Sequence, residues 1–548
     1  MPPCPVTAGP GARIRPPSPA TQPGHPARPP SPAAQPGRPA RVPSPGALRR
    51  VRCAGCAAPG ALRRARDPAR YAGRVLSRVD LRGRPLTSLD RKGLAGLLPR
   101  AQLDVAAALE VIRPVCADVR QRGSEAVRAY TAKFDGIDLA SSRVPGEALA
   151  RALAGLQPDV RLALQEAARR ARLVHEAQLP RETTTTVAPG SVVTERYLPV
   201  GRAGVYVPGG LIVYPSSVVM NVIPAQVAGV AEIAVASPPQ AGSGGLPHPV
   251  VLAACALLGI TEVHAAGGAQ AIAMLGYGTA DCAPVDVITG PGNIYVAAAK
   301  RLLQGQVSVD AEAGPTEIAI VADHTADAAF VAADLIAQAE HDPLAACLLI
   351  STDDRLADRV DAELAVMAPQ ARHAGRVQTA LAGQSACVLV DDISAALAVA
   401  DAWAPEHLEI QADGAAALAR RVRNAGAIFA GAFAPVSLGD YLAGSNHVLP
   451  TGGTARHTGG LSVLSFLRGI HVVECDAAAL AAVAPHIDAL GEAEDLDAHV
   501  QAVRVRVPAP AVSDAPEAAA AQPAPAGPGP AQAGAAAPAA QAPRESAR

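Results

Sequence analysis

The sequence has no apolar run long enough to cross a membrane: the longest, Val250 to Ile260, falls far short of the roughly 20 residues that a spanning helix needs. It also lacks the apolar segment of a secretory signal near its start. Nine cysteines scattered over 548 residues make no disulfide framework, and Cys53-Ala-Gly-Cys56 is a lone pair with no second one to complete a zinc ligand set. A reducing cytoplasm is the expected compartment. A GxGxxG dinucleotide fingerprint is missing too. Lysine is nearly absent: Lys92, Lys133 and Lys300 are the only three among 48 basic residues.

Proline and charge divide what is present. Residues 1–70 hold 18 of the 51 prolines and carry 12 Arg against the single acid Asp67, a net of +11. Residues 507–548 hold 9 prolines and carry a net of −1, so the middle supplies −11 of the chain's total of −1. Within the front, residues 16–28 recur almost unchanged as 29–41. Repetitive Pro-rich sequence of this kind cannot bury a core, so 1–72 and the Ala/Pro-rich 507–548 are expected to be disordered tails. The basic front owes its charge to the arginine-heavy usage of the whole chain, which makes it weak evidence for a nucleic-acid partner.

The body, about 73–506, alternates strand and helix patterns. To about residue 180 it reads as helical, with helices over Gln102–Ile112, Pro114–Arg122 and Pro158–Ala177. From about 203 the strand candidates are Gly204–Val207, Glu232–Ala236, Glu262–Ala265, Val285–Ile288, Glu317–Val321, Cys347–Ser351, Ala386–Val390, Leu408–Gln411 and Ala427–Phe429. Ala-rich helical stretches separate most of them. This is the pattern of parallel sheets covered by helices, and nine strands exceed one ordinary sheet, so two α/β units are expected. Ligands in such folds sit beyond the carboxyl ends of the strands.

Three glycine-bearing loops follow strands: Val207-Pro208-Gly209-Gly210 after Tyr206, Gly267-Gly268-Ala269-Gln270, and Gly290-Pro291-Gly292-Asn293. Each reads either as a tight turn or as backbone brought close to an anion at a helix start. Gln338 and His341 lie three apart at a helix end, as a surface helix terminus or as metal ligands. Glu406-His407 precedes a strand and offers two proton carriers whose unperturbed pKa values fall on either side of five. Asp440 and His447 share a Gly-flanked loop, and Glu494 and His499 sit in a helical segment near the end of the body. Gln338, His341, Asp440 and His499 suffice for a four-coordinate metal if the fold brings them together.

In order and spacing, GGAQAIA, GPGN, AGPTE, QAEHD, PEHL, GDYLAGSNHVLPT and DLDAH resemble the histidinol dehydrogenase family across about 73–506. The resemblance implies two Rossmann-like parallel-sheet units of aldehyde-dehydrogenase-like build, smaller helical pieces including a C-terminal helical extension over about 470–506, and an intertwined homodimer. It implies one zinc per subunit, held by Gln338, His341 and Asp440 of one chain and by His499 of the other. Glu406 and His407 match the catalytic acid/base pair. Tyr206, Gln270 and Asn293 match NAD contacts. Thr316, Gln338, His341, His407, Asp440, His447, Glu494 and His499 match positions around the substrate, L-histidinol. Family members usually carry Ser where Thr316 stands. The hydroxyl is kept and a methyl is added.

Oxidising an alcohol to an acid takes two hydride transfers, hence two NAD, with an aldehyde between. His407 suits removal of the alcohol proton, and Glu406 suits activation of the water that adds to the aldehyde. No cysteine falls in these segments, which favours water over a thiolate nucleophile. Three other readings remain open on sequence alone. They are a zinc- and NAD-dependent dehydrogenase of another small alcohol, a zinc hydrolase using Glu406, and a nucleic-acid-binding protein acting through residues 1–70.

Overall fold

The structure, a computed structural model, describes residues 74–507 apart from 85, 87–90, 102–103, 210–211 and 312–313. The expected tails, the Cys53–Cys56 pair and the basic front lie outside these residues.

All nine anticipated strands are present. The strands in chain order are β1 (Ser77–Asp80), β2 (Thr183–Ala188), β3 (Ser191–Pro199), β4 (Arg202–Tyr206), β5 (Glu232–Ser237), β6 (Glu262–Ala265) and β7 (Val287–Thr289). They continue with β8 (Ser308–Val309), β9 (Glu317–Ala322), β10 (Ala346–Ser351), β11 (Ala386–Leu389), β12 (His407–Gln411), β13 (Ala427–Ala430) and β14 (Leu467–Cys475). Two sheets are wholly parallel: a five-stranded one ordered β6-β5-β4-β7-β8 and a six-stranded one ordered β1-β11-β10-β9-β12-β13. Each buries both faces under helices. On the five-stranded sheet Ile272, Met274 and Leu303 fill one face, while Val218, Val222 and Leu252 fill the other. On the six-stranded sheet Val331, Leu335 and Leu356 lie on one face and Leu397, Val399 and Trp403 on the other. Two-sided burial explains why the strands read as short continuous apolar runs.

Three features depart from expectation. Val105–Arg122 is one helix that runs through Pro114 instead of two. Asp104 caps it by accepting the Ala107 N–H, and Ile112, Val115, Cys116 and Val119 are buried along its length. Burial of that stripe outweighs the ~3 kcal/mol that an interior proline costs. The front of the body is not all helical, because β1 adds to the edge of the six-stranded sheet beside β11. The C-terminal extension begins with a strand: β14 pairs antiparallel with β3 from Leu467–Pro199 to Cys475–Ser191, and β2 completes a three-stranded sheet. Two helices, Ala477–Ala493 and Asp497–Arg504, follow.

Candidate active site

A cleft of about 510 Å³ opens between the two parallel sheets. From the five-stranded sheet come the loops after β4 and β7, which flank the point where the strand order reverses. That is the carboxyl end, as expected for this kind of sheet. The six-stranded sheet contributes its opposite edge. Thr316 stands just ahead of β9, and Glu406 and His407 stand at the start of β12. The search rule of carboxyl ends therefore holds for one unit only.

The chain reaches Glu406 through Ala404, held at φ +52 as it leaves the helix Ile393–Trp403. Beside it, a side chain at Gly426 would stand 2.6 Å from the Glu406 carbonyl, so the neighbouring strand packs closely only as glycine. The Glu406 carboxylate is buried and accepts two hydrogen bonds on Oε2, from the Thr316 hydroxyl at 2.6 Å and the Glu317 N–H at 2.9 Å. Burial nevertheless lifts its pKa to about 8, against the lowering effect of those two donors. His407 shifts the opposite way, below the ordinary histidine value, again because it is buried. The pair thus departs from its unperturbed order: the desolvated carboxyl holds its proton and the desolvated imidazole does not. His407 Nδ1 lies 3.0 Å from the Glu317 carbonyl, which can only accept, so Nδ1 carries the proton and Nε2 keeps a lone pair. His407 lines the cleft.

Gln338 ends the helix Ala328–Ala339 and is buried. His341 lies beyond that helix, one turn on, where its N–H reaches the Gln338 carbonyl at 3.3 Å. The Gln338 amide nitrogen donates to the Thr316 hydroxyl, while its Oε1 is buried with no hydrogen-bond partner among the described residues. A buried carbonyl oxygen left bare is costly unless something electropositive sits there. His341 Nε2 lies 3.8 Å from Asp440 Oδ2, and both residues line the cleft. Asp440 comes from the short helix Val436–Tyr441, whose Gly439 backbone rests on Phe429; a Cβ there would stand 2.5 Å from that ring. The bare Gln338 oxygen, the His341 imidazole and the Asp440 carboxylate are nitrogen and oxygen donors of the kinds that zinc takes. His447 joins from the same loop, donating Nδ1–H to the Asp440 carbonyl at 3.0 Å and taking the Ser217 hydroxyl on Nε2 at 3.2 Å. Burial lowers the pKa of both His341 and His447.

Elsewhere, Glu262, His264 and Cys282 bring one ligand atom each within 4.8 Å of one another. Glu262 is already engaged by Arg202 at 2.6 Å and Arg143 at 3.2 Å, and two guanidinium groups repel a cation. That cluster is an ion-pair network.

The glycine loops serve two purposes at once. Asn293 lines the cleft, and its side chain caps the helix Ile294–Leu303 by accepting the Tyr295 and Val296 N–H groups. Tyr206 is buried at the end of β4, where its hydroxyl accepts the Gly268 N–H at 3.1 Å. Gln270 is buried in the first turn of the helix Gly268–Tyr277. Neither Tyr206 nor Gln270 lines the cleft itself. Gly290 has φ +114, and a Cβ there would sit 2.0 Å from the Tyr206 carbonyl. A buried Lys300–Asp310 pair clamps this residue: Lys300 donates to the Gly290 carbonyl and Asp310 accepts the Gly290 N–H at 2.7 Å. Sequence reading passed over both, although one of only three lysines in an apolar helix was the available signal.

The profile of the family "Histidinol dehydrogenase" matches residues 98–507. The chain belongs to the histidinol dehydrogenase family. A histidinol dehydrogenase of Thermobifida fusca is 63% identical over 430 residues, which cover 78% of this chain and 97% of that one. One from Mycobacterium tuberculosis is 58% identical over 436 residues, with 78% and 98% covered. The crystal structure of histidinol dehydrogenase from Elizabethkingia anophelis superposes with a TM-score of 0.74 at 32% identity, over 79% of this chain and 98% of that one. Members of the histidinol dehydrogenase family are oxidoreductases, so the hydrolase reading of this chain falls away. None of the described cysteines lines the cleft, and burial pushes the thiols of Cys116, Cys255, Cys347 and Cys387 up to about 12, which suits a dehydrogenase working without a thiolate.

Two sequence-derived positions stay apart from the rest. Glu494 caps the end of the helix Ala477–Ala493, and His499 lies in the next helix; both are exposed and neither lines the cleft. The expected single helical segment is broken between them, where Asp495 takes φ +57.

Proposed function

We propose that this chain oxidises L-histidinol to L-histidine through the aldehyde, with zinc and NAD. The single observation that carries the reading is the hydrogen-bonded chain Gln338–Thr316–Glu406, with the bare buried oxygen of Gln338 at its end, beside a cleft lined by His407, His341 and Asp440. Gln338, His341 and Asp440 would hold one zinc per subunit, with His499 of a second copy as the fourth ligand. When bound, zinc fixes the orientation of the substrate nitrogens and NAD accepts the two hydrides. His407, with Nε2 free, takes the alcohol proton. Glu406 in its ionised form takes a proton from the water that adds to the aldehyde, and Thr316 and the Glu317 N–H hold that carboxylate in place. His447 and Ser217, bonded to each other on the wall of the cleft, would offer polar partners to the imidazole and amine of the substrate. Tyr206, Gln270 and Asn293 form the cofactor side, their loops braced by the Lys300–Asp310 clamp.

Glu494 and His499 enter through a partner. They are solvent-exposed on the last helices, which follow a three-stranded sheet whose Val187, Ile470 and Val473 are also exposed. Such a terminal arm supports exchange between identical chains, each completing the other's site. The family's biosynthetic role fits a cytoplasmic enzyme, and no helix among the described residues is long and apolar enough to cross a membrane. NADH formation from histidinol tests the proposal. Two NADH per histidinol are expected, the activity being lost on chelation and restored by zinc; chelator-resistant turnover would overturn the metal assignment.

A further inference from the structure

Two buried acids in the six-stranded unit take no part in the chemistry above. Glu409 is 1% exposed and Asp334 8%. Along β12, alternate residues share a face, so His407, Glu409 and Gln411 point one way while Leu408 and Ile410 enter the core on the other. The face of His407 is covered by the helix Ala328–Ala339, in which Asp334 lies one turn before Gln338.

Gln411 Nε2 donates to Asp334 Oδ2 at 3.1 Å and to Glu409 Oε2 at 3.0 Å. The second oxygen of Glu409 accepts the N–H of Val436 at 2.8 Å. Val436 begins the short helix that carries Asp440 one turn later. Burial keeps both carboxyls above the ordinary acid range, and the charge of Asp334 raises Glu409 further. The rest of this face is mainly apolar: Ile318, Ile320 and Leu349 pack against the helices there, and Cys347 adds only a weak Sγ–H contact to the Leu335 carbonyl at 3.5 Å. Apolar packing alone would hold the helices down but would let them slide, because it is not directional.

We infer that Asp334 and Glu409 are positioning residues for the metal ligands: through Gln411 and Val436 they tie the helix of Gln338 and the helix of Asp440 to the strand that carries His407. The inference rests on the reading that Gln338 and Asp440 hold zinc. A metal site tolerates only small displacements of its ligands, so a fixed relation between two ligand-bearing helices has a direct use. A purely structural role makes a different prediction, since buried charge pairs are often replaced by apolar residues at no cost to folding.

The test uses the full chain, stripped of metal and titrated with zinc against a chromophoric chelator, and then loaded with cobalt for its visible spectrum. Glu409→Leu is expected to weaken zinc binding about 10–100-fold, the range for lost outer-shell support, and to shift the cobalt bands. Glu409→Gln keeps an acceptor for Val436, and its amide N–H groups can donate to Asp334 and, once the Gln411 amide turns over, to the bare Gln411 oxygen, so it should stay within about threefold of the wild type in both readouts. Where Glu409→Leu does not fold, Asp334→Leu takes its place, because it leaves Glu409 bonded to Val436. Wild-type affinity and an unchanged cobalt spectrum in a folded Leu variant would overturn the inference while leaving the metal reading intact. A wild type that binds no zinc would overturn the metal reading and the inference with it.

Discussion

Thr316 offers the sharpest handle on the chemistry. Its hydroxyl donates to Glu406 at 2.6 Å, and Glu406 is already lifted to about 8 by burial. A hydrogen bond to a charged group contributes ~1.5–3 kcal/mol, and one pKa unit corresponds to about 1.4 kcal/mol. Thr316→Val, which keeps the shape and removes the hydroxyl, should therefore raise the Glu406 pKa by roughly one to two units. With Glu406 as the proposed base, raising its pKa removes activity from the acid side. The acidic limb of kcat/KM for aldehyde oxidation moves to higher pH, with about 10–100-fold lost at neutral pH and most of it regained under alkaline conditions. A bound zinc would lower every such limb through its own field, so the separation between variants is the quantity to measure. Thr316→Ser restores the donor and should return the limb to within a few tenths of a unit. Stopped-flow NADH formation from the aldehyde, between pH 6 and 10, reads this directly. If Thr316→Val loses activity equally at every pH, the hydroxyl does not act through the Glu406 ionisation and the argument fails.

His407→Asn should slow the alcohol-to-aldehyde half by about 10²–10⁴-fold, measured by single-turnover hydride transfer, because Nε2 is the free base in the cleft. His341→Ala and His499→Ala should each purify with little zinc but with a native circular-dichroism spectrum; full zinc occupancy in both would refute the ligand set. Mixing inactive Glu406→Gln and His499→Ala proteins under subunit exchange should restore about one quarter of wild-type activity, since half the dimers are mixed and half their sites are intact. Gly290→Ala places a Cβ 2.0 Å from the Tyr206 carbonyl at φ +114, and should lower unfolding stability by more than about 1 kcal/mol in denaturant titration.

Local pattern reached far in this chain. The strands of the two parallel sheets were legible because two-sided burial writes each one as a compact β-branched run, as in Glu317–Ala322, and the intervening helices as Ala-rich segments. The motifs carried the family and, with it, the candidate residues. Glu406, His407 and Thr316 needed no structure to be singled out.

Contacts between distant parts of the chain were beyond that pattern. β14 falls where the family resemblance implied a helical extension, and it is a strand because β3, much earlier in the sequence, supplies nine paired residues. A strand that depends on one distant partner leaves little local trace. Tertiary packing also turns a polar alternation inward: Glu409 and Gln411 alternate with Leu408 and Ile410 along β12, yet they are buried against Asp334. Residue type determined which groups can carry protons or bind a metal. Tertiary structure determined in which state they do so, because desolvation raised Glu406 to about 8 and lowered His407, reversing the order that their free side chains would have.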